Sequence, residues 1–325
     1  MKLNTILPTA ILMLAATACQ NDNDPNLTYQ NDPDAVRINP IIVEQQSRVN
    51  TLGKGDAWTA DDQIKVTIAS ENLVKGKDTG VFKYTNSSWD IQGENYLVWP
   101  SRIKNDGVTF QAFYPYFEGK ENSFIKFQIP NNQSSANHGE NFIGNADWMR
   151  AETISHNETG QVDLGFSHQL VKINVTIKEY NGQYATNIPV ISTPKFSVPE
   201  GKNPTGLTIN VENNATQIYG LMQQDNSAAK LHTFTAIVKS GKYNSDDNFL
   251  TLMVNGKELN IKAGKNSVLT KTGLSNGQAY NFDLTIGKHE SYEGTIGTNV
   301  TISNWGKSDW SEGEHGGVAD EVQVP

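Results

Sequence analysis

Histidines are the residues first in line for acid–base or metal chemistry, and this chain has six, at positions 138, 156, 168, 232, 289 and 315. None stands in a His-Glu-x-x-His or Cys/His pattern, so their spacing offers no zinc site. His168 and His232 fall in segments of alternating apolar residues. A histidine satisfied by a neighbour is the expectation there, ahead of a ligand or base. No serine sits in a Gly-x-Ser-x-Gly turn, and no Gly-x-x-x-x-Gly-Lys-Ser/Thr loop is present to cradle phosphate. Asp61-Asp62 and Asp246-Asp247 are adjacent carboxylates. Neighbours on a strand face opposite ways, so each pair is expected to cap or solvate a turn. Acidic residues nowhere take the spacing of a calcium loop. The sequence assigns no catalytic residue, no metal ligand and no cofactor.

The one cysteine is placed for other chemistry. Met1-Lys2 gives a positive start, Ile6 to Leu14 is an apolar run, and Ala15-Ala16-Thr17-Ala18 leads with small residues into Cys19. This is the layout of a secretory signal, too short to span a membrane as a helix. A thiol at that junction is expected to take a diacylglycerol and become the new N-terminus, as in bacterial lipoproteins. With no other cysteine, the rest of the chain can form no internal disulfide and must rely on burial. Gln20 to Pro25 is polar and acidic and reads as a solvated tether. It also resembles the surface-export signal of Bacteroidetes lipoproteins. The formal net charge of −9 argues against nucleic acid and anionic membrane as partners, because both need clustered Lys and Arg.

Period-two alternation runs through the body and predicts half-buried strands. It is seen in Ile64, Val66, Ile68; in Val108, Phe110, Ala112, Tyr114; in Ile125, Phe127, Ile129; and in Val171, Ile173, Val175, Ile177. It continues in Leu207, Ile209, Val211, in His232, Phe234, Ala236, Val238, and in Tyr280, Phe282, Leu284, Ile286. Asn255-Gly256 between two such runs predicts a tight hairpin. No three-turn amphipathic helix and no repeat of 20 to 50 residues is visible. The expected fold is all-β, built of two antiparallel sandwiches. The organisation read from the chain is a signal over 1–18, a lipidated tether over 19–37, an N-terminal domain over 38–163 and a C-terminal domain over 164–325.

Several spaced motifs together resemble the fimbrillin (Mfa-like) family of Bacteroidetes pilus subunits. They are Trp58-Thr-Ala-Asp-Asp-Gln-Ile64-Lys-Val66; Leu97-Val-Trp99-Pro100 followed by Val108 to Tyr116; and Ile129-Pro130-Asn-Asn-Gln133 followed by Asn145-Ala-Asp147-Trp-Met149. Phe166-Ser-His168-Gln-Leu170 and the closing Tyr280-Asn-Phe282 with Ile302-Ser-Asn-Trp305 complete the set. The resemblance implies two transthyretin-like β-sandwich domains and no enzyme activity. It implies a lipoprotein carried to the outer membrane and exposed at the surface. An Arg-specific protease then removes an N-terminal segment, and a neighbouring subunit's strand fills the opened groove. Carried onto this chain, the cleavage falls at Arg48, with Arg37 as runner-up. The displaced strand carries Ile38, Ile41 and Val43, with Pro40 suited to a sheet edge. The donor strand is the tail bearing Val318, Val322 and Val324, with Asp320 interrupting its apolar face. The implied partners are other pilus subunits and a host or bacterial surface ligand, and the implied location is the fimbrium.

A rival reading keeps the protein monomeric as a surface glycan-binding lipoprotein. Trp58, Trp89, Trp99 and Trp148 would line its sugar cleft, since flat aromatic faces pack against carbohydrate. The plainer expectation is that these tryptophans fill the interior.

Overall fold

The computed structural model describes residues 27–43, 58–69, 77–100, 107–137, 139–156, 160–182, 184–224, 232–288 and 294–304, the last stretch as backbone. Cys19, Arg48, Val318, Val322 and Val324 lie outside the described residues. The first strands are β1 (Arg37–Ile42), β2 (Gln63–Ala69), β3 (Thr79–Thr85), β4 (Ser88–Gln92), β5 (Val108–Tyr114) and β6 (Lys126–Ile129). Next come β7 (Met149–Ser155), β8 (Gln161–His168), β9 (Val171–Gly182), β10 (Ile191–Ser197), β11 (Thr208–Val211) and β12 (Gln217–Tyr219). The series ends with β13 (Leu221–Gln224), β14 (His232–Val238), β15 (Asn248–Val254), β16 (Lys257–Lys262), β17 (Gln278–Lys288) and β18 (Gly294–Asn304). The fold is all-β and sandwich-like, as the alternation predicts. Among the described residues no helix is long and apolar enough to cross a membrane.

Four sheets carry the strands. Seven strands run in the order β1-β8-β7-β5-β2-β3-β4 and five in the order β13-β14-β9-β17-β18. Four run as β12-β10-β15-β16, and β11 pairs β6 alone. Most ladders are antiparallel, but β1 with β8, β6 with β11 and β9 with β17 are parallel. Period-two patterning sets which face is buried and carries no information on strand direction. Asn255 and Gly256 take φ values of 49° and 77° in the β15–β16 turn, the positive pair that a two-residue hairpin of Asn-Gly type needs.

Burial follows the alternation closely. Ile64, Val66 and Ile68 point inward from β2, and Val171, Ile173, Val175 and Ile177 from β9, all within 2% of full burial. Ile125 is exposed, because β6 begins one residue later and only Phe127 and Ile129 turn inward. β14 departs from the pattern: all seven of its residues are buried. Part of the reason is Gln133, which is fully buried beside it. The Gln133 amide donates to the Ile237 carbonyl and accepts from the Ile237 N–H, both at 2.8 Å. A side chain from the first half of the sequence thus satisfies β14 backbone that no described strand serves.

Two buried clusters result. One gathers Val36, Ile64, Val66, Phe82, Leu97, Trp99, Phe110, Leu164 and Phe166. The other gathers the apolar faces of β9, β14, β15 and β17, and it also takes Phe127, Ile129, Phe142, Ile143 and Trp148. The chain therefore crosses to the second cluster at β6 and returns to the first sheet at β7. Trp148 stacks on Phe127 with ring centroids 5.4 Å apart. Beside it, Asp147 Oδ1 meets His168 Nδ1 at 2.5 Å, with both side chains fully buried. Burial pushes the Asp147 carboxyl above the usual carboxylate range, and His168 pulls it back down. This pair ties the returning chain to the end of β8. Replacing His168 by leucine strips the buried carboxyl of that partner. The expected cost is about 3 kcal/mol or more, read as a fall in the midpoint of urea unfolding.

Candidate functional site

β1 is an edge strand. It pairs in parallel with β8 from Arg37 opposite Gln161 to Ile42 opposite Phe166, and the Val43 N–H extends the ladder to the Phe166 carbonyl. Pro40 stands opposite Leu164. Proline lacks an N–H, so it is tolerated where one side of a strand is not paired. Along β1 the side chains alternate. Val36 and Pro40 are buried, and Ile38 and Ile42 pack half-buried on the first cluster. Asn39, Ile41 and Val43 take the other face. Asn39 Nδ2 donates to Asp163 Oδ1 at 2.8 Å, while Ile41 and Val43 are 43% and 41% exposed. Ile38 therefore faces the interior, and Ile41 and Val43 face away from it. Pro40 takes the inward place that an apolar trio on one face would have needed.

Among the described residues, the outer side of β1 is met by one indole. Trp58 Nε1 donates to the Pro40 carbonyl at 3.1 Å. The Trp58 ring packs edge-on against Trp89 at 4.9 Å, Phe166 at 5.3 Å and Tyr114 at 5.6 Å. Trp89 belongs to β4, the opposite edge of the same sheet. One side chain therefore bridges the two edges of the seven-stranded sheet. Asp62 fixes the turn that carries it. The Asp62 carboxylate accepts from the Thr59 N–H at 2.7 Å, the Thr59 hydroxyl at 3.0 Å and the Tyr114 hydroxyl at 2.9 Å. Burial, with Asp62 alongside, pushes the Tyr114 phenol well above its ordinary range, so it stays protonated as the donor. Asp61 reaches the surface and pairs with Lys83 at 2.6 Å. The adjacent carboxylates thus shape a turn, as expected.

Residues 27–36 also lie against the first cluster. The Val36 N–H donates to the Leu97 carbonyl and the Trp99 N–H to the Asp34 carbonyl, both at 2.9 Å. Tyr29 packs on Phe82 and on Tyr96, each at 5.9 Å. The Tyr96 hydroxyl donates to Asp32 at 2.8 Å, and burial followed by that bond pushes its pKa up to about 12. Arg37 folds back over this stretch. Its guanidinium lies 4.2 Å from the centre of the Tyr29 ring and donates to the Tyr29 and Gln30 carbonyls. Arg37 thus belongs to β1 itself. Hydrolysis after Arg37 would leave β1 joined to the body, whereas hydrolysis after Arg48 would separate β1 from everything that follows.

The other expected residues fall elsewhere. His168 has Asp147, and His232 lies 3.2 Å from the Tyr180 hydroxyl; both are satisfied histidines of the interior. Trp99 and Trp148 are buried, and Trp58 and Trp89 are half-buried within the first cluster. These four tryptophans do not form an exposed sugar platform. Among the described residues no group of three His, Cys, Asp or Glu could hold a metal ion. Sequence reasoning missed the Trp58–Pro40 bond, the Asn39–Asp163 pair and the packing of residues 27–36. Only the Trp58 motif left a signal that could have found one of them.

These features define a class: an all-β, sandwich-like chain whose first described strand sits at a sheet edge under a single tryptophan. The fimbrillin-like family pattern matches residues 47–305, and the chain belongs to that family. No curated protein matches it. Its fold is similar to that of a candidate cell adhesion protein from Bacteroides uniformis, at 17% identity and a TM-score of 0.55. The match covers 83% of this chain and 98% of that one. A second candidate cell adhesion protein, from Bacteroides ovatus, shows 20% identity and a TM-score of 0.52, covering 84% and 98%. The tip fimbrial protein Mfa3 of Porphyromonas gingivalis aligns at 9% identity with a TM-score of 0.41, covering 83% and 99%.

Trp58→Leu removes the indole N–H and keeps an apolar side chain. The amides of Ile41 and Val43, which face β8, are expected to exchange with deuterium about five- to tenfold faster, the effect of losing one hydrogen bond worth about 1 to 1.5 kcal/mol. Those of Val171 to Ile177 should be unchanged.

Proposed function

We propose that the chain is a structural subunit of a surface fimbrium, stalk or tip, without catalytic activity. It is exported as a lipoprotein through Cys19, reaches the outer membrane and is matured by cleavage after Arg48. Assembly follows by strand exchange at the place β1 occupies, with the Val318, Val322, Val324 tail of another subunit as donor. The tether over 19–37 and the two domains over 38–163 and 164–325 belong to the same proposal.

The observation that carries the reading is the position of β1. Among the described residues it takes ladder bonds from β8 on one side and one indole bond on the other. Removing residues up to Arg48 would take β1 and residues 27–36 together. The backbone edge of β8 would lose its partner, and the places of Val36, Ile38, Pro40 and Ile42 would open over the core. A bare strand edge above an apolar floor recruits another extended chain. Ladder bonds would give that chain affinity, and alternate apolar side chains would set its register. Leu97, Trp99 and Phe82 would lose the cover of residues 27–36 at the same time, so a donor has more than one strand's width of surface to fill. Membership of the fimbrillin-like family supports the same assignment.

The test is processing and assembly of the full chain. Arg48→Ala should stay at its unprocessed mass and monomeric after treatment with an Arg-specific protease. Arg37→Ala should be processed and polymerise like the parent. Deleting Val318 to Pro325 should permit processing and block polymer. Polymer formed by Arg48→Ala at the parent's rate would refute cleavage at that site. A fully processed parent that remains monomeric would refute the strand-exchange reading.

A further inference from the structure

A second feature of the molecule has no part in strand exchange. A cleft of about 650 Å³ opens between the loop following β5, the turn before the 3-10 segment Ile143–Ala146, and the 3-10 turn Glu212–Asn214 that follows β11. Its volume falls in the range of small-molecule sites, roughly 300 to 1,000 Å³. Its walls are rich in carboxamides, and three of them are held at one end by the protein.

Asn122 Oδ1 accepts from the Gln128 N–H at 3.1 Å. Asn132 Oδ1 accepts from the Ser134 N–H at 3.2 Å and from the Ser134 hydroxyl at 2.7 Å. Asn145 is held the other way round, its Nδ2 donating to the Gly139 carbonyl at 2.7 Å and to the Glu140 carbonyl at 3.4 Å. These bonds settle which end of each amide is committed. They leave Nδ2 of Asn122 and Asn132 as donors and Oδ1 of Asn145 as an acceptor, and all three residues line the cleft. Because the amides are already fixed, a ligand need not pay to order them.

The chemistry of the lining narrows the ligand. An anion needs donors alone and a metal ion needs oxygens alone. A fixed mixture of donors and acceptors suits a group that does both at once, and that group is the hydroxyl. Glu118, Glu140 and Glu212 line the cleft against one ammonium, that of Lys120, which lies 3.5 Å from the Glu212 carboxylate. The local field therefore opposes acidic ligands. Half-buried Phe117 adds an aromatic wall, which suits the C–H face of a pyranose ring. We propose that this cleft binds a neutral oligosaccharide, as a short stretch of a surface glycan. The site stands apart from the interior tryptophans and is independent of whether β1 exchanges.

The experiment is isothermal titration of the full-length protein with mannotetraose, xylotetraose, N,N′,N″-triacetylchitotriose and, as an acidic probe, 3′-sialyllactose. At least one neutral sugar should bind saturably, and sialyllactose should bind more weakly than that sugar. The double variant Asn132→Ala/Asn145→Ala should lose at least about tenfold in affinity, the equivalent of about 1.4 kcal/mol. Asn145 also holds its own turn, so a second variant guards against misfolding. Gln128→Arg places a long side chain into the cleft from the exposed face of β6 and leaves the pinned amides in place; it should lose binding with an unchanged melting curve. Gln111→Ala, on the first sheet, should bind like the parent. The proposal is overturned if none of the three neutral sugars binds, if sialyllactose binds as well as they do, or if a folded Gln128→Arg protein keeps the parent's affinity.

Discussion

A strand inside a sheet is held by ladders on two sides, and β1 has a ladder on one. Among the described residues its other side is met by the Trp58 indole, which donates to the Pro40 carbonyl. The function proposed here depends on this asymmetry. Pro40 forgoes a donor on the strand where a donor would be least useful. Trp58 compensates with one bond and with a ring wedged between β1, β4, β5 and β8. The strand is thus well covered yet joined to the rest by few backbone bonds. A strand built into the middle of the sheet could not leave without dividing it.

The rest of the molecule resists such a loss. The chain crosses to the second cluster at β6, buries Phe127 and Trp148 there, and returns at β7. Gln133 binds the β14 backbone from both ends of its amide, and Asp147 locks to His168. These bonds join segments far apart in sequence, and none involves residues 27–43. The portion proposed to leave is therefore separable from the portion that must stay. The amide-lined cleft lies along the crossing segment, so its geometry is set by the part that stays.

Much of this was legible in the residues. Alternation located the inward rows of β2, β5, β9 and β17, because a strand with one buried face must repeat every two residues. Asn255-Gly256 announced its hairpin. Ile38 to Val43 could be read as an edge strand because of Pro40. Other features left no local trace. Direction is invisible to a period of two, so the parallel pairing of β1 with β8 could not be foreseen. The crossing at β6 is a matter of which core an apolar row meets, and Phe127 and Ile129 look the same for either. Asp147 and His168 were each visible inside a motif, but nothing in their spacing says that the two meet. Residues 27–36 follow a polar, acidic stretch, and their composition hides the packing of Tyr29 and Val36.

The central claim is that β1 must leave for subunits to join, and a reversible covalent lock tests it most directly. Asn39 and Asp163 are opposite each other on neighbouring strands with their side chains in contact. A protein carrying Asn39→Cys and Asp163→Cys, with Cys19→Ser to remove the competing thiol, can be oxidised to pin β1 to β8. The measurement is the molar mass in solution after cleavage at Arg48, by light scattering, with and without reductant. The account predicts a monomer while the disulfide holds and growth into polymer once it is reduced. Polymer formed at the same rate by the oxidised protein would contradict it.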